Sequence, residues 1–247
     1  MHLMRLLLPA RRFDPSLPEM IDLPDADPDL LRGELRNLRK INRRFGGISS
    51  VRKALQPLLE RTDPAGMLEL LDLGTGSGDQ AVAIVEHCRS LGRRVAVTAI
   101  DNNAAVLEEA RRVTSGYPEI ALERGDLRAL AHPDGRFDVA LCALAAHHLA
   151  HGEVVELLKE MDRLTRVGFV LNDLSRSTLA LGAAWLYTRL TTTNIMTRSD
   201  AIASIQAAFT LEELAGIAER SGLPGIEVSR AALFRLSLVR TRTSVPR

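Results

Sequence analysis

The chain reads as an α/β protein with a mostly parallel sheet covered by helices on both faces. Three observations predict it. Short apolar runs alternate with helical stretches from Met67 onward, a glycine-rich turn joins the first run to the first stretch, and acidic residues stand at the ends of successive runs. With 247 residues, 46% of them hydrophobic, the chain is long enough for one such core. A single domain with additions is therefore expected, with an arm and helical lid over residues 1–62, the sheet domain over 63–247, and a helical insertion at about 174–210.

The arm comes first. Pro9, Pro15, Pro18 and Pro24 with scattered charges predict an extended segment up to about Ala26. Asp27-Pro28 then has the chemistry of an N-cap followed by proline in the first turn. Leu31, Leu35, Leu38 and Phe45 follow at helical spacing, with Arg32, Arg36, Arg39, Lys40 and Arg43 on the other faces. Gly46-Gly47 ends this helix, and Ser49 is the expected cap of a second one running to about Arg61.

Strands are expected at 68–73, 95–101, 120–123, 137–142 and 169–173, with helices near 80–90, 104–113 and 154–164. A longer helical insertion follows Asp173. A capping box, Thr210 with Glu213, opens another helix. Two closing strands, 226–229 and 233–240, are joined closely enough to be antiparallel.

Composition excludes several function classes. The formal net charge of +1 gives no general attraction to nucleic acid or acidic membranes. Cys88 and Cys142 match no metal-ligand spacing, so no metal is expected, and both read as small buried side chains suited to a reducing compartment. The Leu6-Leu7-Leu8 run is too short for a signal-peptide core, and no run approaches membrane-spanning length. A soluble cytoplasmic protein is the expectation.

Leu70-Leu71-Asp72-Leu73-Gly74-Thr75-Gly76-Ser77-Gly78-Asp79 is an apolar strand running into a glycine turn and a helix. Glycines let the backbone turn sharply and approach a ligand closely, and the new helix offers unpaired N–H groups. A nucleotide-type ligand at the strand's carboxyl edge is the physical expectation. The spacing is G-x-G-x-G rather than the dinucleotide G-x-G-x-x-G, and Asp79 stands where the third glycine would fall. An aspartate there would repel a pyrophosphate. Asp101 ends the second strand about 23 residues past Gly78, where a carboxylate can accept ribose hydroxyls. Gly125-Asp126-Leu127 follows the third strand, where an acidic group can accept an adenine amino group.

The ordered segments Leu71 to Asp79, Asp101, Gly125-Asp126-Leu127 and Phe137-Asp138-Val139 resemble the motifs of class I S-adenosylmethionine-dependent methyltransferases. The resemblance covers about Leu68 to Arg240. It implies a Rossmann-like seven-stranded sheet whose last strand is antiparallel, with S-adenosyl-L-methionine as cofactor. By the same resemblance Asp72, Gly74, Thr75 and Gly76 face the methionine moiety, Asp101 the ribose and Asp126 the adenine, with Gly78, Asn102 and Leu127 in the same cofactor set. More narrowly, Leu38-Arg39-Lys40-Ile41-Asn42 with Phe45-Gly46-Gly47, and Asn172-Asp173-Leu174-Ser175-Arg176-Ser177, look like a bacterial group found beside polyketide synthases. That likeness implies a phenolic or polyketide-like acceptor and a lid in which Asn42, Phe45 and Gly47 close over the cofactor.

Such a cofactor brings an activated methyl group, so the protein must align the acceptor, exclude water and remove a proton from a hydroxyl. His147 and His148 follow the fourth strand and are the candidate bases. Either can instead cap a helix or pack on the cofactor. Asn172 and Asp173 end the fifth strand. Asp173 can orient a histidine or cap the next helix, and Asn172 can bind an acceptor oxygen. The Asn/Asp-Pro-Pro-aromatic loop of base-amino methylation is absent, Cys142-Ala143-Leu144-Ala145 standing in its place. The apolar insertion, with Leu179, Leu181, Trp185, Leu186, Tyr187 and Leu190, can wall a hydrophobic acceptor pocket, fill a core or form a homodimer face. Methylation of a hydroxyl on a small apolar aromatic acceptor is thus expected. The rivals are a quinone-precursor C-methyltransferase, an RNA-modifying enzyme using the basic N-terminal helix, and a non-catalytic cofactor-binding partner. Without interleaved aromatics, that basic segment reads as a solvated helix face, so no nucleic acid is expected.

Overall fold

The computed structural model describes residues 9–23, 25–127 and 129–242. Among them seven strands form one sheet: β1 (Met67–Leu73), β2 (Arg94–Asp101), β3 (Ile120–Arg124), β4 (Phe137–Ala143), β5 (Thr165–Leu174), β6 (Ile226–Arg230) and β7 (Arg235–Thr241). Their order is β3-β2-β1-β4-β5-β7-β6. The first five strands run parallel, and β7 runs antiparallel to both β5 and β6. The chain steps outward from β1 to β3 and then returns to β4 on the other side of β1. That reversal opens a crevice at the carboxyl ends of β1 and β4, the usual ligand position in open α/β sheets.

Among the described residues the eight α-helices are α1 (Pro28–Arg44), α2 (Gly47–Leu59), α3 (Asp79–Ser90), α4 (Ala104–Thr114), α5 (His151–Leu164), α6 (Thr178–Thr191), α7 (Ile195–Ala207) and α8 (Leu211–Ser221). Alternate residues of the strands feed opposite cores. Leu68 and Leu70 of β1 pack with Val51, Leu55 and Leu58 of α2 and with Ile84 and Val85 of α3. Leu71 and Leu73 pack with Leu157, Leu158 and Met161 of α5 and Ile217 of α8. Each fully buried leucine contributes about 1.5–3 kcal/mol relative to exposure, so neither sheet face can be left to solvent. This explains why the strands read as continuous apolar runs rather than alternating ones.

Several boundaries differ from the sequence expectation. β5 begins at Thr165 rather than near Phe169. Arg166 and Gly168 interrupt its apolar run, but Gly168 is demanded inside the strand, because an added Cβ would lie 1.9 Å from the Arg240 carbonyl oxygen. Ser49 does not cap α2. Gly46, in the left-handed region at φ 77°, precedes that helix, and Ser49 lies in its first turn. The expected cap of α1 is present: Asp27 accepts from the N–H groups of Asp29 and Leu30. The box of Thr210 and Glu213 opens α8 as expected.

The N-terminal segment is not merely an extended arm. Residues 1–8 and Pro24 of that expectation lie outside the described residues. From Pro9 onward the chain forms a strap across α7 and the end of β4. Arg11 donates to the carbonyls of Ala207, His147 and Leu149. Asp200 of α7 accepts from the backbone of Met20 and Ile21, fixing a 3₁₀ turn over Met20–Asp22. The insertion forms α6 and α7 rather than a core helix. In α6 only Ala180 and Thr188 are buried, and Leu179, Trp185, Leu186 and Leu190 are exposed. Among the described residues no helix is long and apolar enough to cross a membrane.

Candidate active site

A cavity of about 770 Å³ opens at the carboxyl edge of β1 and β4 and extends beneath α1, α6 and α7. Its floor is the glycine turn. Gly74 adopts φ 67°, and a Cβ there would lie 2.6 Å from that of Ala145, so the turn and the β4 exit can meet only through glycine. Gly76, at φ 55°, has open space where a side chain would project. Thr75 donates its hydroxyl to Asp72 (2.7 Å), holding that carboxyl under the turn. Burial pushes the Asp72 carboxyl up to about 7 against the Thr75 hydrogen bond, with Asp79 and Asp101 adding repulsion.

Asp101 accepts from the N–H groups of Gly76 and Asn103, both at 3.0 Å, which aligns the second strand end with the turn. Burial raises its pKa against those backbone bonds. Asn102, Gly125, Asp126 and Leu127 line the same wall. Gly78 does not. It adopts φ 77° ahead of α3, and its missing Cβ makes room for Thr114 and Ala110 of α4, so the third glycine serves helix packing.

At the opposite end of the turn, Asn42 and Phe45 from the end of α1 line the cavity. Asn42 donates to Asp79 (3.1 Å) and accepts from Arg235 (2.8 Å). Gly47 lies behind that wall, where an added Cβ would meet the Arg235 guanidinium at 2.8 Å. Its role is to admit Arg235. Arg235 is 4% exposed, one of its terminal nitrogens has no partner, and it lines the cavity. Gln80, 6% exposed, also lines the cavity with neither amide atom partnered.

The histidine end combines β4, β5 and the strap. His147 and His148 lie on a 3₁₀ turn, Ala146–His148, directly after β4. Asp173, 1% exposed, does not cap a helix; Ser177 caps α6 instead. Asp173 Oδ1 lies 2.7 Å from His147 Nδ1, and Oδ2 accepts from the His147 backbone N–H at 3.0 Å. Burial alone would raise the Asp173 carboxyl, but the imidazole beside it holds it below the usual range. On the other side, His147 Nε2 lies 3.8 Å from Glu19 Oε1, which accepts from Ser204 at 2.7 Å. His148 Nδ1 lies 3.0 Å from Asp22 Oδ2. Burial opposes charge on His148, yet the Asp22 hydrogen bond and the carboxylates of Glu19 and Asp173 push it up to about 9. Glu19, His147 and His148 each bring one possible ligand atom within 4.8 Å of the others.

Asn172 is not at the cavity. Strand alternation turns it to the other sheet face, where it is buried and accepts from Ser50 of α2 at 3.3 Å. It cannot reach an acceptor oxygen from there. Beyond the histidines the cavity wall is largely apolar: Leu35, Leu38 and Ile41 of α1, Ala183, Ala184 and Tyr187 of α6, and Ala201 and Ile205 of α7. Phe45 meets Tyr187 edge to face at 4.9 Å and ties the lid to the insertion. Glu19, Asp22, Glu34, Gln80 and Arg235 were not found from sequence. Arg235 had an available signal: β7 runs antiparallel, so its first residue lies at the carboxyl edge of β5.

Residues 70–168 match the family model described as a methyltransferase domain. The chain is 30% identical over 138 residues to EEF1A lysine methyltransferase 4 of Bos taurus, covering 56% of this chain and 50% of that protein. It spans half or less of the length of the curated relatives it matches. A SAM-dependent methyltransferase from Aquifex aeolicus superposes with a TM-score of 0.56 at 16% identity, covering 92% of this chain and 98% of that one. Human N-acetylserotonin methyltransferase in complex with SAM gives 0.64 at 17% identity, covering 94% of this chain and 63% of that one. Family model, strand order and glycine turn agree: residues 70–168 match a methyltransferase domain, and the sheet has the Rossmann-like fold of the SAM-dependent methyltransferases on which it superposes.

Proposed function

We propose that this chain methylates a hydroxyl of a small apolar acceptor of the phenolic or polyketide-like class, with His147 taking up the hydroxyl proton. The observation that carries this reading is the buried His147–Asp173 pair, 2.7 Å apart, with His147 in the wall of the same cavity as the glycine turn.

The residues present fit the cofactor. Carboxylates at Asp72, Asp79 and Asp101 suit a ligand bearing a sulfonium and an ammonium, and burial at Asp72 disfavours its charge until a cation arrives. The unpartnered Arg235 nitrogen and Gln80 amide suit the carboxylate and amine of its amino-acid end. Open space at Gly76 leaves room for close backbone approach. Asp101 would take the ribose, and Asp126, Asn102 and Leu127 the adenine, with Asn42 and Phe45 covering the amino-acid end. When bound, S-adenosylmethionine supplies an activated methyl group for in-line displacement.

The chain's own task is positioning and proton removal. A phenol has a pKa near 10, so the acceptor arrives protonated at neutral pH. His147 Nδ1–H donates to Asp173, which leaves Nε2 to accept that proton. Asp173 on one side and Glu19 on the other then face the imidazolium, and both carboxylates stabilise it. His148 is held protonated by Asp22 and serves as a fixed donor rather than a base. The small side chains of Ala183, Ala184 and Ala201 leave room for a flat ring and exclude water around it.

The test is direct. The protein is incubated with S-adenosylmethionine and alkyl-substituted phenols, and the products are identified by mass spectrometry and NMR. An O-methyl ether is expected. Methyl on a ring carbon, or transfer only to RNA or to protein lysine, would overturn the reading.

A further inference from the structure

Glu34 is the exception in the apolar part of the cavity. It sits on α1 beside Leu35 and one turn from Leu38, lines the cavity, and is only 2% exposed. Its Oε2 has no hydrogen-bond partner. An ordinary solvated glutamate would not be sealed beneath an insertion helix. A structural one would spend both oxygens on neighbours, because a buried polar atom left unpaired costs about 1–3 kcal/mol. Thr197 of α7 bonds the side chain but leaves Oε2 over.

We propose that Glu34 forms a second polar subsite, which binds a further hydroxyl of the acceptor away from the hydroxyl that is methylated. This rests on the reading of the cavity as an acceptor site and narrows it from any apolar phenol to dihydroxylated ones. Burial, with Asp200 and Glu19 adding repulsion, pushes the Glu34 carboxyl up to about 7 against the Thr197 bond. The group is therefore able to donate to or accept from a neutral hydroxyl, and it does not call for a cationic acceptor. The wall chemistry agrees, since Leu35, Leu38 and Ile205 of the same cavity are apolar and suit the hydrocarbon part of such an acceptor. A site built to hydrogen-bond a hydroxyl discriminates strongly against the analogue lacking it, because its own polar group is then left unpaired.

The probes are meta-pentylphenol and pentylresorcinol, which differ by one ring hydroxyl. Both are assayed for turnover and KM with the full-length protein, alongside Glu34→Gln and Glu34→Leu. The wild type is expected to prefer the dihydroxy probe in kcat/KM by roughly tenfold or more, the worth of one buried hydrogen bond. Glu34→Gln keeps a hydrogen-bonding group and should keep most of that preference. Glu34→Leu should bring the two probes within about twofold of each other in kcat/KM. Equal preference in wild type and Glu34→Leu overturns the subsite, as does a wild type that does not distinguish the probes, the result if Oε2 merely holds a buried water. Should neither probe be methylated by the wild type, the acceptor reading itself fails and the subsite fails with it.

Discussion

The floor of the cavity and its cover are built differently. The floor is backbone: Gly74, Thr75 and Gly76 are held between the ends of β1 and β2 by Asp72, Asp101 and the Ile100 carbonyl. The cover is side chains from segments far apart in sequence. Glu19 and Asp22 come from the strap, Glu34 from α1, Tyr187 from α6, Ser204 from α7 and Arg235 from β7. A floor of this kind fixes one cofactor with little freedom to vary. A cover of this kind can change its acceptor by exchanging side chains while the sheet stays intact. The histidine turn lies at the seam between them, anchored to β5 through Asp173 and to the strap through Glu19 and Asp22.

The sharpest way to break this division is at the seam. His147→Ala should lower kcat by about 10²–10⁴-fold, the usual worth of a positioned base. Cofactor affinity should change little, because the floor is untouched. Asp173→Asn should cost less if the carboxylate only orients the ring and steadies its charge. Near-normal kcat in His147→Ala across the neutral range would mean that proximity alone drives the reaction, and proton removal by His147 would be abandoned.

A second pair of substitutions tests the floor against the cover by affinity. Asp101→Ala and Arg235→Met each remove hydrogen bonds involving a charged group, worth about 1.5–3 kcal/mol, or roughly ten- to a hundredfold in cofactor Kd. Calorimetry with S-adenosylhomocysteine reads this directly. If Arg235→Met leaves affinity unchanged while acceptor KM rises, Arg235 belongs to the acceptor side and the boundary between floor and cover must be redrawn. NAD should bind neither variant nor wild type, because Asp79 faces the place a pyrophosphate would take.

The same division governs what the sequence makes legible. The strand order follows from local patterns, since apolar runs, helix caps and glycines act over a few residues. Leu68 to Leu73, the Asp27 cap and the Thr210–Glu213 box all lie where such patterns put them. Asp101 and Asp126 are found because a parallel sheet puts successive strand ends along one edge. Glu19 and Asp22 have no such marker. They sit in a proline-bearing segment ordered largely by distant partners, among them Asp200 and Ser204 of α7 and the carbonyl that Arg11 reaches at Ala207, all nearly two hundred residues away in sequence. Asn172 and Asp173 show the limit from the other side. Both end a strand, but the two-residue period sends one to Ser50 and the other to His147, and without a known register the faces cannot be assigned. Gly78 and Gly47 mislead for a related reason, because a glycine serves ligand approach and helix packing equally well.

The smallest expected effect concerns stability rather than turnover, and it asks whether the strap is held to the seam by charge. His148 has its pKa raised from 6.5 to about 9 in the folded protein, with Asp22 of the strap at 3.0 Å and the carboxylates of Glu19 and Asp173 nearby. A raised basic pKa means the folded state binds the proton more tightly than the unfolded chain. The stabilisation is therefore fully present below about pH 6.5 and is lost as pH rises through about 9. A rise from 6.5 to about 9 corresponds to about 3.4 kcal/mol at most, and partial solvent access of the pair reduces this to about 1–2 kcal/mol. Wild-type protein should lose that much stability in urea melts between neutral pH and about pH 10, beyond what other groups contribute. His148→Gln cannot carry the charge, so its stability should fall less steeply over the same window, and Asp22→Asn should flatten the curve in the same way. If both variants follow the wild-type curve, the His148–Asp22 contact does not hold the strap, and neutral contacts such as that of Ser204 with Glu19, together with Arg11 and Asp200, keep Glu19 beside His147.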